Sequence, residues 1–588
     1  MAFLPSESPA ISVREVDLSG IVPAVTSSTG ALVGGFNWGP VETPRLVGNE
    51  GELVSQFGSP KLVDSESAID FLSATQFLKY SGSLYVSRTV DVDLARNAHD
   101  SADAVNSVLV KNIGDWESKI DTYKDQTAIA TRKRFVAKYP GKVGNSLKVS
   151  YCPWSTADAS WAGWSYASYF DAPPATSDYV NNIVPNAHDE VHVAIIDEDG
   201  VLTGTPNSVL ETFPFVSMAK DAKKSDGTSN FVLDVINNTS SYVWAAALDS
   251  SVHPTNLTAS EWTATTITGA GENVYESSFN AGANGDAPSR ADYVRGFEDF
   301  KDPDTLQIDF LIAPGLTTSN DDHKTVVNNL AEIAGNDRKD CVAVASPPRD
   351  KVIGVTDTAQ ITTDVKLFAD SCSSSSYLVL DNNYLKVYNK YQDKYEYVPA
   401  ASSTAGLMAA TDNVAAPWYS PAGQRRGQYF GVSSLAWSAT KSQRDTLYKN
   451  GVNPIISFPG QGVLLFGDKT KLARPSAFDR INVRRLFLLM ERAIKQAAEQ
   501  VMFEFNDEFT RAEFVNIVEP YLRDIKGRRG ITDFRVVCDE TNNTAQIIDT
   551  NQFVADIYVK PARSINYVTL SFVAVRTGVD FEEVVGLA

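Results

Sequence analysis

Two short runs constrain this chain more than anything else in it: LQIDFLIAPG at 306–315 and CVAVASPP at 341–348. Each is apolar almost without interruption and too short to be a helix. Each is followed by an amphipathic helical stretch, DDHKTVVNNLAEIAG (321–335) after the first and TDTAQITTDVKLFADS after the second. A strand without polar alternation has to be covered on both faces. Strands of that kind alternating with helices predict a sheet layered by helices on either side.

The same grammar appears near the start. TGALVGGFNWGPVETPRLV reads as a buried strand, a Trp38-Gly39-Pro40 turn and a second strand. NEGELVSQFG is a short helix stopping at Gly58, Ser65–Tyr80 is a longer one, and LYVSRTV (84–90) is a strand. From about residue 92 to 290 the chain turns rich in Ser, Thr, Ala, Asn, Asp and Gly. There the expected units are strands and turns, including a hairpin from Val191–Ile196 through Asp197-Glu198-Asp199-Gly200 to a strand beginning at Val201. Residues 21–91 and 291–455 are therefore expected to close one α/β middle domain around a β-rich insertion, 92–290, of one or two modules.

Residues 456–576 read as a separate α+β unit. Val483–Phe505 carries one apolar stripe (Val483, Leu486, Phe487, Met490, Ile494, Ala497, Ala498, Val501, Phe505), with Arg484, Arg485, Glu491, Arg492, Lys495 and Glu499 largely off it. A second helix is expected from a Thr510/Glu513 capping box, carrying Phe514, Ile517, Val518, Leu522 and Ile525 and ending at Gly527-Arg528-Arg529-Gly530. Strands follow at Ile531–Val537, Phe553–Val559 and Ile565–Val575. Residues 1–20, with Ile11, Val13 and Val16, and residues 577–588, with Val579, Phe581 and Val584, read as extended arms, each a lone strand. Position alone favours fraying; pairing with another chain is the alternative.

The function classes narrow quickly. Of 588 residues, 52 are Lys or Arg and 72 Asp or Glu, a net charge of −20. That balance argues against a sequence-independent nucleic-acid binder, which needs a basic footprint. No apolar run reaches the ~18 residues of a membrane span, and MAFLPSESPAISVREVD lacks the basic and apolar regions of a secretory leader. Four scattered cysteines fit neither a disulfide scaffold nor a metal knuckle; Cys341 and Cys372 read as buried structural thiols.

Near-motifs fail on inspection. His188-Asp-Glu-Val-His192 lacks the Glu directly after the first His and the helix that the zinc signature needs. On a strand the two imidazoles would stand roughly 13 Å apart, so surface histidines entering a hairpin are the expectation. Gly462–Thr470 resembles a phosphate loop, but Asp468 interrupts the Gly-Lys-Thr run. Asp197–Gly200 lacks the later ligands of a calcium loop. No catalytic, cofactor or metal set is expected, and no enzyme. What remains is a charge pattern: a locally basic C-terminal unit (Arg484, Arg485, Arg523, Lys526, Arg528, Arg529, Lys560, Arg563, Arg576) and acidic arms (Glu15, Asp17, Asp580, Glu582, Glu583). Opposite patches on one protein favour heterologous self-contacts, which build rings or filaments.

The order of motifs along the chain resembles the contractile tail sheath proteins of myovirus-type phages. The carrying residues are GFNWGPVETP and LVSQFGSP near the start, PWYSPAG (417–423) with Arg426-Gly427, then NPI, FPGQGVLLFGDKT and RINVRRLFLLMERAI. They cover about 10–91 and 295–585; the insertion carries no recognised motif. The resemblance implies a virion subunit, assembled in host cytoplasm, that stacks as six-fold rings in a helix around a tail tube. It implies partners in the tube, baseplate and tail terminator proteins, with neither nucleic acid nor membrane insertion. It implies that the arms, through Ile11, Val13, Val16, Val579, Phe581 and Val584, add strands to neighbouring C-terminal domains, reversing the preference for fraying. Arg484, Arg485, Arg528, Arg529, Lys560 and Arg563 become the expected assembly contacts. Contraction would be rigid-body movement that drives the tube through the host envelope. A phage-derived injection device, a capsid or adhesin-like protein, and an enzyme using the loop after Ala313-Pro314-Gly315 are the alternatives.

Overall fold

The computed structural model describes residues 28–60, 65–101, 108–124, 133–248, 262–267, 273–315 and 320–566. The six arm residues, Ile11, Val13, Val16, Val579, Phe581 and Val584, lie outside the described residues, as does most of the expected strand at 565–575. The chain forms two compact units, one from residues 28–417 and 421–493, the other from 418–420 and 494–566.

The first unit is organised by a seven-stranded sheet. Its strands are β1 (Gly30–Gly34), β2 (Arg45–Val47), β3 (Leu84–Arg88), β4 (Phe310–Ile312), β5 (Val342–Ala345), β6 (Leu378–Asp381) and β7 (Val452–Asn453). They lie in the order β7-β6-β5-β4-β1-β3-β2, parallel except for the β2–β3 edge pair. β1 and β4 are direct neighbours although some 280 residues separate them, so the sheet is built from both sides of the insertion. Side chains alternate between two cores. Ala31, Val33, Leu311, Ala343 and Ala345 face the helices Arg290–Glu298, Asn320–Glu332 and Thr358–Ser371. Leu32, Phe310, Ile312, Val342 and Val344 face Phe71, Ala74 and Phe77 of Ser65–Leu78, and Ala405 and Met408 of Ala401–Val414. Both faces are apolar because both are covered.

Local chemistry sets the ends. The helix Glu50–Phe57 starts where Asn49 accepts from the Glu52 N–H and stops at Gly58, whose φ of 77° only glycine adopts freely. Ser289 and Asp292 form a reciprocal capping box at Arg290. Gly406 lets Ala401–Val414 pass against the ring of Tyr80; an added Cβ would collide with it.

The insertion has its own core around a four-stranded antiparallel sheet, Ser208–Ser217, Glu190–Asp197, Leu147–Pro153 and Tyr275–Ser278. Its two ends are tied together, Arg96 and Ala283 exchanging backbone hydrogen bonds of 2.8 and 3.0 Å. Arg88, fully buried at the end of β3, bolts this neck to the base. It donates to the carbonyls of Phe36 (2.7 Å), Gly39 (3.0 Å) and Pro140 (2.7 Å).

Two expectations about the insertion are corrected. The second hairpin strand starts at Ser208, not Val201. Asp197 accepts from the backbone N–H groups of Val201, Leu202 and Thr203, holding them as a turn. The histidines are not surface groups either. His192 is buried, its Nε2 bonded to the Ala172 carbonyl and its Nδ1 accepting from the Phe215 N–H, while the His188 ring stacks on Trp154 with centroids 3.7 Å apart.

Candidate assembly surface

The helix Ile481–Glu499 decides the fate of two predicted contacts. Arg484 and Arg485 are buried in the first unit. The Arg484 guanidinium lies 4.3 Å from the Tyr377 ring centroid and 4.0 Å from that of Phe478, and donates to the Tyr377 hydroxyl at 3.2 Å. Arg485 pairs with Asp412, donates to the Met408 carbonyl at 3.0 Å and lies 5.0 Å from the Phe310 ring. Arg492, next along the same helix, donates to Asp309 at 2.7 Å and to the carbonyls of Ile308 (3.1 Å) and Asp340 (2.9 Å). Burial pushes the Asp309 carboxyl up while Arg492 pulls it back. These arginines fasten the helix to the sheet, and burial withdraws Arg484 and Arg485 from any surface available to a neighbour.

The second unit holds the rest. Its long helix, Glu508–Gly527, buries Phe514, Ile517, Val518, Leu522 and Ile525, the expected five. The cap differs: Asp507 accepts from the Thr510 N–H at 2.8 Å, so Thr510 is the third helical residue and not the cap. Beside it stands a two-stranded antiparallel hairpin, β8 (Ile531–Val537) and β9 (Asp556–Pro561), with Phe534 opposite Val559 and Ile531 opposite Pro561. Among the described residues no third strand pairs with either edge. Each edge therefore presents unpaired backbone donors and acceptors, which templates strand addition.

The remaining four predicted cations gather at the open end of this hairpin. Arg528 and Arg529 precede β8; Lys560 and Arg563 end and follow β9, and the Ala562 N–H donates to the Gly530 carbonyl at 3.1 Å, closing the two segments together. The Arg528 guanidinium lies 4.8 Å from the ring of Trp418, whose indole N–H donates to the Arg528 carbonyl at 3.2 Å. Arg529, Lys560 and Arg563 make no ion pair among the described residues, whereas Arg523 and Lys526 are engaged by Glu519 and Asp533. The basic character is local: residues 494–566 hold nine Lys and Arg against twelve Asp and Glu.

Sequence reading missed the other end of the unit. The turn between the two long helices exposes Met502 (57%), Phe503 (100%), Phe505 (83%) and Phe509 (77%). Phe505, expected to finish an apolar helical stripe, is past the helix end at Glu499 and faces solvent. The signal was present in MFEFNDEF, three aromatics interleaved with three acids.

Gly462–Leu465 is a strand paired with Ile455–Phe458, and Asp468 is bonded to Arg480 at 2.9 Å, so 462–470 is a hairpin and its exit. Among the described residues no group of three or more His, Cys, Asp or Glu could hold a metal ion, and no helix is long and apolar enough to cross a membrane. Residues 316–319, directly after Ala313-Pro314-Gly315, lie outside the described residues. All four cysteines are buried and unpaired.

Comparison with known proteins gives one answer. Residues 286–471 match the family described as the phage tail sheath protein central domain, and residues 473–574 its C-terminal domain. The tail sheath protein of Vibrio phage KVP40 is 32% identical, covering 98% of this chain and 99% of its own length. That of Enterobacteria phage T4 is 30% identical, covering 99% of each. The likeness thus runs through residues 92–290, beyond the stretches that carried the resemblance. Among solved structures, the sheath tail protein of Listeria innocua superposes with a TM-score of 0.54 at 13% identity, covering 92% of this chain and 93% of that one, a likeness of fold.

Proposed function

The chain belongs to the phage tail sheath family, and on that premise we propose that its copies polymerise as stacked six-fold rings around a tail tube by exchanging strands. The observation that carries this reading is the β8–β9 hairpin, whose two edges are both unpaired among the described residues. The arms at 1–20 and 577–588 carry apolar side chains set among polar ones, Ile11, Val13 and Val16 in the first and Val579, Phe581 and Val584 in the second. Added to a neighbour's hairpin, they would supply main-chain hydrogen bonds with no change in either folded unit. Arg528, Arg529, Lys560 and Arg563 are the contacts for an acidic surface of the neighbour.

Contraction follows as rigid-body movement of folded units with the arms as hinges. The energy is stored in the extended polymer and released as new surface is buried. Even ~1 kcal/mol per subunit, an ion-pair scale, multiplies over many copies. Tube, baseplate and tail terminator proteins are the further partners of such a polymer, and the virion is its location. The full-length match to phage sheaths favours a virion tail over an injection device.

Deleting residues 1–19 tests this. The expected product has the circular dichroism spectrum and melting behaviour of the full chain but forms no tubes by negative-stain microscopy. Tubes of ordinary length from the truncated chain would refute strand exchange by this arm.

A further inference from the structure

We propose that the Met502–Phe509 turn is an acidic, aromatic knob that docks into the basic open end of the β8–β9 hairpin of a second copy. The proposal rests on the polymer reading above and names the contact within it.

The knob is MFEFNDEF, and every residue of it except Asn506 is exposed. Phe503 has φ 71°, a left-handed backbone that a bulky residue seldom adopts. Strain of this kind, combined with a fully exposed ring, gains nothing inside the monomer and points to a partner. At the usual area per aromatic side chain, the four exposed apolar groups offer roughly 600 Å². That is at the upper limit of what a monomer leaves uncovered and most of one side of a standard interface. Glu504 and Glu508 stand exposed between the rings, beside Asp507, whose carboxylate is already taken by the Thr510 N–H that it caps.

The occupant is identified by the opposite end of the same unit. Asn506 donates to the Gln552 carbonyl at 2.8 Å, so the knob sits at the closed end of the hairpin, beside the connection between β8 and β9. Arg528, Arg529, Lys560 and Arg563 mark the open end, together with Ile565, 85% exposed. Tyr558, 60% exposed on β9, extends this surface along the strand. Glu504 and Glu508 among aromatics at one end answer Arg529, Lys560 and Arg563 among apolar groups at the other, Arg528 being already paired with Asp524 at 3.6 Å. Guanidinium groups also pack on aromatic faces. Within one copy the two ends cannot meet, because the hairpin separates them. Between copies they match head to tail, the heterologous geometry that propagates a ring or filament.

The test is reciprocal charge reversal in the full chain. Both E504K/E508K and R529E/R563E change exposed residues, and both are expected to melt with the wild type and to raise the critical concentration for tubes at least about tenfold. The combined four-residue variant is expected to recover most of that loss, because the pairs are restored with reversed sign. As an independent readout, F505C/I565C is expected to form disulfide ladders between copies under mild oxidation, the four native thiols being buried.

Wild-type critical concentrations for both double variants, or no recovery in the combined variant, would overturn the contact. So would variants that polymerise normally but no longer assemble on purified tube protein, an outcome assigning the knob to the tube. A wild-type chain that never polymerises overturns the polymer reading itself.

Discussion

Replacing Asp381 by Asn should make this protein more stable at neutral pH, although Asp381 is fully engaged in hydrogen bonds. It ends β6, is 1% exposed, and accepts from the Ser346 hydroxyl at 2.9 Å and the Asn383 N–H at 3.2 Å. No cation is among the groups acting on it. Burial pushes its carboxyl up to about 8 from 3.8. The folded state therefore holds a proton that the unfolded chain releases, and stability falls as pH rises from the unfolded value towards the folded one. At about 1.4 kcal/mol per pH unit, the cost at pH 7 is about 4 kcal/mol. Asn carries no charge to neutralise, but its amide nitrogen needs an acceptor of its own, so about half of this gain should survive, near 2 kcal/mol. Native-state hydrogen exchange of the 378–384 peptide reads the opening free energy of β6 directly, which matters because a chain of two units need not unfold in one step. Asp381→Asn should exceed wild type by about 2 kcal/mol at pH 7, match it at about pH 5.3 and fall about 2 kcal/mol below it under about pH 4, where only the amide's unmet acceptor remains. A difference that does not change with pH would refute the reasoning.

Other substitutions test the frame. Arg88→Met strands three buried carbonyls and should cost about 3 kcal/mol or more, with limited proteolysis reporting cleavage at the insertion neck before the sheet opens. Asp412→Ala leaves Arg485 charged and buried, and should cost about 3–5 kcal/mol in urea titration, whereas Lys560→Ala, on an exposed strand end, should stay within about 0.5 kcal/mol. Gly406→Ala drives a methyl into Tyr80 and should cost about 1–3 kcal/mol, read as a lower melting temperature with tube assembly intact.

Elements whose identity rests on nearby residues were legible. The apolar runs at 306–315 and 341–348 became strands of the doubly covered sheet, and Glu508–Gly527 buried the five expected side chains. The cap of that helix was misplaced by three residues because Asp507 and Thr510 carry equally plausible oxygens. Arg484 and Arg485 were read as contacts, and Arg492 was left off the apolar stripe, for a deeper reason. A guanidinium looks like surface unless its acceptors are known, and Asp412 and Asp309 lie 73 and 183 residues away. The Val201 strand failed because one carboxylate, Asp197, captured three backbone amides, a competition that alternation of apolar residues does not reveal. The knob at Met502–Phe509 was absorbed into a helical stripe because apolar spacing alone does not say where a helix stops.

The tie between Arg96 and Ala283 has a consequence for how such a chain changes over time. Loop-closure entropy depends only weakly on how much chain lies between two joined ends. With the ends of the insertion already held side by side, residues can be gained or lost between them at little thermodynamic penalty to the sheet below. The neck is thus a natural splice point. A foreign domain whose termini lie close together could replace 97–282 with this tie intact, provided it returns an acceptor to Arg88 in place of the Pro140 carbonyl.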